Sequence, residues 1–228
     1  MTKKAFTLAE VLITLGIIGI VAAMTIPTLL TNIREKQTVS KLKQTYSMLS
    51  QAFKLVEDNG GVLGDLAEND NISSKDRAAK FMDLLRPHLK ILVDCGHNDT
   101  NEACVKNQAY IRLNNQNREN YANNQVYYKV VLFNGTHIIL RGGESVFVTP
   151  NGDPELVRVY VDTNGTQGPN QWGRDFFMFH YYDSYGFVPA GIPTKGITLE
   201  QDCENTQQAG LGCAYKVLKD GNMDYLKK

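Results

Sequence analysis

The sequence lacks an excess of charge of either sign. Its 24 basic residues stand against 24 acidic ones, so no global field draws the chain to nucleic acid. It also has no block of Lys and Arg to supply such a field locally, and nucleic acid is not indicated as a partner. Internal repeats and low-complexity segments are missing; Asn114 to Asn124 is a polar, Asn-rich loop. Short signatures of catalysis are missing too. No G-x-S-x-G or H-E-x-x-H occurs, His88, His97, His137 and His180 are scattered, and "GGES" after Arg141 has no phosphate-loop pattern. An enzyme is therefore the least favoured class, open only because catalytic groups can be assembled from distant positions. What remains, at 43% hydrophobic and 21% charged in 228 residues, buries an ordinary core in one domain with a long extension.

That extension is the most distinctive part. Val11 to Leu30 contains no charged residue, and about 20 apolar residues are what a helix needs to cross a bilayer. Lys3 and Lys4 precede it and hold that end in the cytoplasm, which sends the rest of the chain outward. A secretory signal would have a shorter apolar region and a small-residue cleavage site. Ala22-Ala23-Met24 imitates such a site, but the run continues to Leu30. One carboxylate, Glu10, is retained at its edge. Such a group costs about 2.5–3.5 kcal/mol on insertion scales, so it calls for a partner, unless it snorkels to the headgroups with no assembly role.

Lys3-Lys4-Ala5 followed by Phe6-Thr7-Leu8-Ala9-Glu10, with Gly19 and Pro27 at matching distances, resembles the start of type IV pilins and the pseudopilins of type II secretion. Ala5 stands where that family usually has Gly, and Ala9 where it has Ile or Val. The resemblance implies cleavage between Ala5 and Phe6 by a prepilin peptidase, methylation of the new amino terminus at Phe6, and retention of the apolar helix. It also implies assembly through Glu10, which would pair with the Phe6 amine of a neighbouring subunit. Paired inside an apolar filament core, the two charges offset each other's desolvation; out of register, both are uncompensated. Gly16, Gly19 and Pro27 weaken the helix, and in this family such weakness accompanies departure from the bilayer. The implied partners are other pilins in a homo- or hetero-polymer, the peptidase, and an inner-membrane assembly platform. The implied location is a single-pass inner-membrane precursor that becomes a periplasmic or cell-surface filament. Adhesive or DNA-uptake minor pilins are alternatives within the same family.

Beyond Thr31 the helix turns amphipathic, with Val39, Leu42, Tyr46, Leu49, Phe53 and Val56 at alternating steps of three and four, and Asn59-Gly60-Gly61 stops it. A second helix is expected from about Lys75 to His88, capped by Ser73 or Ser74. Strand-like runs follow at 109–113, 126–133, 137–140, 145–149, 156–161 and 176–182, with Asn134-Gly135 as a hairpin signal. Successive strands without intervening helices predict an antiparallel sheet, hence an α+β fold with one long helix on the sheet. This is also the pilin architecture. The division expected is a leader at 1–5, the N-terminal helix at 6–58 with its membrane part at about 8–30, and an exported globular domain at 59–228.

Four cysteines fall in two close pairs, Cys95 with Cys104 and Cys203 with Cys213. An exported domain favours local disulfides, although four cysteines allow three connectivities and zinc at Cys95, His97 and Cys104 is an alternative. "CENTQQAGLGC" resembles the disulfide-closed C-terminal segment of many pilins. In "VDTNGTQGPNQWGRDFF", Asp162, Asn164 and Asp175 are oxygen donors at spacings that suit calcium, against a turn held by Asx hydrogen bonds.

Overall fold

The computed structural model describes residues 7–60, 72–97, 103–104, 109–120, 126–143, 155–194, 197–198 and 202–227. The chain divides into two units, Met1–Gln37 and Thr38–Lys228, and helix α1, Leu8–Asp58, contributes to both.

In the first unit α1 carries no charge over residues 11–30. Leu12, Ile13, Leu15, Ile17, Ile18, Ile20 and Val21 stand exposed. Among the described residues this is the one helix long and apolar enough to cross a membrane, and no part of that window is covered by protein. A core helix of the same composition would be buried, so the uncovered surface calls for lipid or neighbouring chains. Pro27 lies inside the helix without ending it. Thr25 Oγ1 donates to the Val21 carbonyl and Thr31 Oγ1 to that of Pro27, so hydroxyls that would otherwise face lipid are satisfied within the helix.

In the second unit the amphipathic stripe of α1 lies on a six-stranded antiparallel sheet. The strands are β1 (Ile91–Gly96), β4 (Tyr127–Leu132), β5 (His137–Gly142), β6 (Glu155–Asp162), β7 (Phe176–Tyr182) and β8 (Gly186–Pro189), adjacent in that order. Val39, Leu42, Leu49, Phe53 and Val56 are buried as their spacing requires, and Tyr46 packs at the margin. Phe53 stacks on Tyr181 and Phe187 with ring centroids 4.8 Å apart in each pair, and Tyr181 donates its hydroxyl to Glu57 Oε1 at 2.5 Å. Each fully buried side chain of this kind contributes about 1.5–3 kcal/mol. The expected arrangement of a long helix on an antiparallel sheet, with a disulfide near the C-terminus, is the one observed.

Helix α2 (Ser74–Leu85) begins at Ser73, whose side chain accepts the Asp76 N–H. It buries Ala78, Phe81, Met82 and Leu85. The expected continuation to His88 is a separate 3-10 turn, Arg86–His88, because Pro87 has no N–H to extend an α-helix. The Asn134-Gly135 hairpin forms between β4 and β5: Gly135 takes φ 77° and Asn134 Oδ1 accepts the Thr136 N–H.

The expected strand at 109–113 is shorter. It appears as β2 (Ala109–Ile111), and it pairs with β3 (Arg118–Asn120) rather than with the main sheet. The run at 145–149 lies outside the described residues. The elements without a strong sequence signal include β1, β8, helix α3 (Cys213–Asp220) and β3, which forms inside the stretch expected to be a polar loop because β2 pairs with it. A two-stranded ribbon, β9 (Pro193–Thr194) with β10 (Ile197–Thr198), completes the described strands.

The far face of the sheet is not left to solvent. Tyr110, Tyr127, Ile139, Tyr160, Trp172, Phe176, Met178 and Ala190 form a second core there, so every residue of β7, "FFMFHYY", is buried. Burial on both faces is why that strand reads as a continuous apolar run instead of an alternation.

Candidate functional site

Ala5 and Phe6 lie outside the described residues. Glu10 sits in the first turn of α1 with a partner of its own chain. The Thr7 N–H and Thr7 Oγ1 each donate to Glu10 Oε2 at 2.8 Å, and the Glu10 N–H donates to Thr7 Oγ1 at 3.3 Å. This is a reciprocal capping box, T-x-x-E, which satisfies N–H groups that a helix start leaves without partners. Thr7 is therefore a site residue beside Glu10, and the motif Thr7-Leu8-Ala9-Glu10 was its signal in the sequence. Replacing Thr7 by Val should cost about 1 kcal/mol of cap stability, whereas Ser should preserve it. Amide exchange in detergent micelles tests this: exchange at the first-turn amides should quicken several-fold in Thr7→Val alone, and equal protection in the two variants would remove the cap.

Cys95 is bonded to Cys104 and Cys203 to Cys213, and no free cysteine is described. The zinc alternative fails on this geometry, since both of its sulfurs are consumed and His97 Nδ1 lies 2.9 Å from the Tyr127 carbonyl oxygen, as a donor to it. Loops of 9 and 10 residues' separation each restrict the unfolded chain by on the order of 2–3 kcal/mol. The second disulfide anchors α3. Asp202 accepts the Leu211 and Gly212 N–H groups, and Tyr225 donates its hydroxyl to the Gly173 carbonyl, tying the C-terminal segment to the 162–175 loop.

That loop brings Asp162, Asn164 and Asp175 together, but with hydrogens between them. Asp162 Oδ1 accepts from the N–H groups of Asn164 and Gly165, and its Oδ2 from the Tyr110 hydroxyl at 2.6 Å. Asp175 Oδ1 accepts from the Gln171 N–H, and its Oδ2 from the Asn170 N–H and Asn164 Nδ2. A cation needs oxygens free to converge on it, and here each carboxylate oxygen is already turned to an N–H or O–H donor. The donor set does not fit calcium in this form; it is the Asx-bonded turn. Among the described residues no cluster of three or more His, Cys, Asp or Glu side chains could hold a metal ion. Burial dominates the electrostatics, pushing Asp162 up to about 8 and Asp175 also upward.

A second buried polar cluster lies on the far face of the sheet. Arg158 donates through both Nε and a terminal nitrogen to Glu155, at 2.9 and 2.6 Å, and His180 Nδ1 lies 2.6 Å from Glu155 Oε1. Burial opposes the Glu155 charge, but the hydrogen bonds from His180 and Arg158 prevail and hold it down at about 2. Nothing in the sequence marked these residues, because they come together only through strand register. A shallow cleft of about 260 Å³, bordered by Gly191, Cys203, Tyr215, Lys216, Lys219 and Asp220, brings no nucleophile and base together.

The prokaryotic N-terminal methylation motif matches residues 1–26, and this motif is the hallmark of type IV pilins and pseudopilins. No curated protein and no solved structure matches the chain. The motif and the apolar helix fit a pilin-like chain held in the membrane as a precursor.

Proposed function

From a chain that opens on this methylation motif, we propose a structural subunit of a bacterial filament, either a type IV pilus-like fibre or a type II secretion pseudopilus. Residues 1–5 are the leader, 6–58 the assembly helix and 59–228 the exported globular domain. Prepilin peptidase cuts between Ala5 and Phe6, the new amino terminus is methylated, and an inner-membrane platform moves the subunit from bilayer to filament.

The observation that carries this reading is the contrast along α1. One stretch is uncharged and uncovered, while the next buries a single stripe against the sheet. A plain membrane anchor accounts for the first stretch but not for an acid in its first turn. A filament accounts for both, because lipid and then neighbouring helices cover the same surface, and Glu10 finds a cationic amine in the second setting. The subunit has no catalysis of its own in this reading.

Intact-mass spectrometry of the exported chain decides the processing step. The expected mass is that of a chain beginning at Phe6 and carrying one methyl group. A start after Ala23, or an uncut Met1, would end the filament reading.

A further inference from the structure

Helix α3 buries Cys213, Ala214 and Val217 in the core of the globular unit. That leaves Tyr215, Lys216, Lys219 and Asp220, at helical steps of three and four, on its other side, where they border the cleft of about 260 Å³. The opposite border comes from Gly191 and Pro193 on one segment and Cys203 and Glu204 on another. Bonds hold the three pieces together. The Tyr215 N–H donates to the Ala190 carbonyl at 3.0 Å, Cys203 is bonded to Cys213, and Asp202 accepts the N–H groups of Leu211 and Gly212. Gly191, at φ 89°, comes so near that a Cβ there would lie 2.1 Å from the Gly212 carbonyl oxygen, an approach open only to glycine. The cleft is therefore a built concavity with a backbone floor.

We propose that this cleft binds one uncharged sugar ring, a pyranoside. Its borders carry no Leu, Ile, Val, Met or Phe among the described residues, so an acyl chain or the apolar face of a partner helix finds little to pack on. Nor do its cations converge as a phosphate or carboxylate requires. Lys216 is paired with Asp220 at 3.1 Å, and Lys219 rests over the Tyr215 ring with Nζ 5.7 Å from the centroid. Glu204 balances Lys219 on the cleft border, and neither has an ion-pair partner among the described residues. Two cations, two carboxylates and one half-buried phenol ring suit a ligand that is neutral and yet donates and accepts hydrogen bonds. A pyranoside lays its C–H face on Tyr215, an amphipathic surface with little side-chain freedom to lose. Its hydroxyls accept from Lys216 and Lys219 and donate to Glu204 and Asp220. The volume falls short of the roughly 300–1,000 Å³ of sites for drug-sized ligands, which limits the occupant to a single ring. The site belongs to the globular unit and holds whether or not the helix polymerises.

The test uses the full chain, nitrogen-labelled, in micelles of a phosphocholine detergent, because maltoside and glucoside detergents carry the proposed ligand themselves. Methyl glucoside, methyl galactoside and N-acetylglucosamine are titrated separately and amide shifts followed, with glycerol and inorganic phosphate as comparisons. The expected result is a saturable shift with at least one pyranoside, confined to the amides of Gly191, Gly212 and residues 215–220, while glycerol gives only a linear drift. The dissociation constant should be on the order of a millimolar, as a single ring at ordinary binding energy per atom gives. Tyr215→Ala should weaken binding roughly tenfold or more, whereas Tyr215→Phe, which keeps the ring, should retain it. Glu204→Gln removes a charged acceptor from an exposed position and should weaken binding severalfold; it decides if Tyr215→Ala fails to fold. Three linear sugar titrations matching glycerol, or equal binding in the wild type, Tyr215→Ala and Glu204→Gln, would overturn the site. Saturable phosphate binding tighter than that of every sugar would overturn the ligand class.

Discussion

Glu10→Val should insert in the membrane at least as well as the wild type and yet enter fibres, beside wild-type subunits, on the order of a hundredfold less often. Removing the carboxylate relieves an insertion cost of about 2.5–3.5 kcal/mol. It also strands the Phe6 amine of the neighbour, and an uncompensated buried charge costs about 3–5 kcal/mol. The capping box complicates this single variant, because Val deletes the cap as well as the charge. Glu10→Gln separates the two roles: glutamine serves in a capping box as glutamate does, but it cannot pair with an ammonium. If assembly depends on the ion pair, Gln fails in the sheared-fibre fraction almost as badly as Val. If Gln subunits assemble normally while Val subunits do not, Glu10 acts only as a helix cap. Normal yield from both would return it to a carboxylate that snorkels to the headgroups.

Much of this was legible in the chain because the signals were local. The stripe from Val39 to Val56, the Ser73 cap and the Asn134-Gly135 turn depend on residues within a turn or two of each other, and each appears where its spacing put it. What escaped depends on pairing between distant segments. β1, "ILVDCG", has no strong strand signal of its own and takes its place by pairing with β4. The second core was hidden because a strand buried on both faces loses the period of two that marks a strand. At the candidate sites the same division holds. T-x-x-E was local and readable, whereas Glu155, Arg158 and His180 meet only when β6 and β7 settle into register. The 162–175 loop shows the limit of spacing: it brought the three oxygen-bearing residues together correctly but gave no indication of which hydrogens would lie between them.

That loop should make the globular unit lose stability as the solution turns alkaline, by about 2 kcal/mol between pH 6.5 and 8. Burial raises Asp162 from an ordinary 3.8 to about 8, so across that interval the folded chain keeps a proton that the unfolded chain has shed. Its contribution is full below the ordinary value and declines as pH rises to the folded one, at about 1.4 kcal/mol per pH unit. Asp175, raised by the same burial, acts in the same direction. His137 opposes them over part of the range. Burial, with Lys41 nearby, lowers it from 6.5 to about 4, so its contribution is present above 6.5 and lost as pH falls to 4. Glu155, lowered from 4.5 to about 2, likewise loses its contribution only as pH falls below 4.5. Between 4.5 and 6.5 the slope from His137 opposes that from Asp162 and flattens the profile, so the steeper alkaline fall begins above 6.5. The alkaline fall corresponds to a drop of about 4–8 °C in melting temperature for a unit of this size. Asp162→Asn isolates its origin, because the amide oxygen still accepts from Asn164 and Gly165, its nitrogen donates to the Tyr110 hydroxyl, and nothing titrates. In the variant the fall between pH 6.5 and 8 should shrink to the part that Asp175 supplies. An alkaline limb that persists undiminished in Asp162→Asn would assign the slope elsewhere. Calcium should add nothing at pH 6, where Asp162 holds its proton and the N–H donors fill the loop. A higher melting temperature in calcium than in chelator at that pH would show that the donors turn away, restoring Asp162, Asn164 and Asp175 as a cation site.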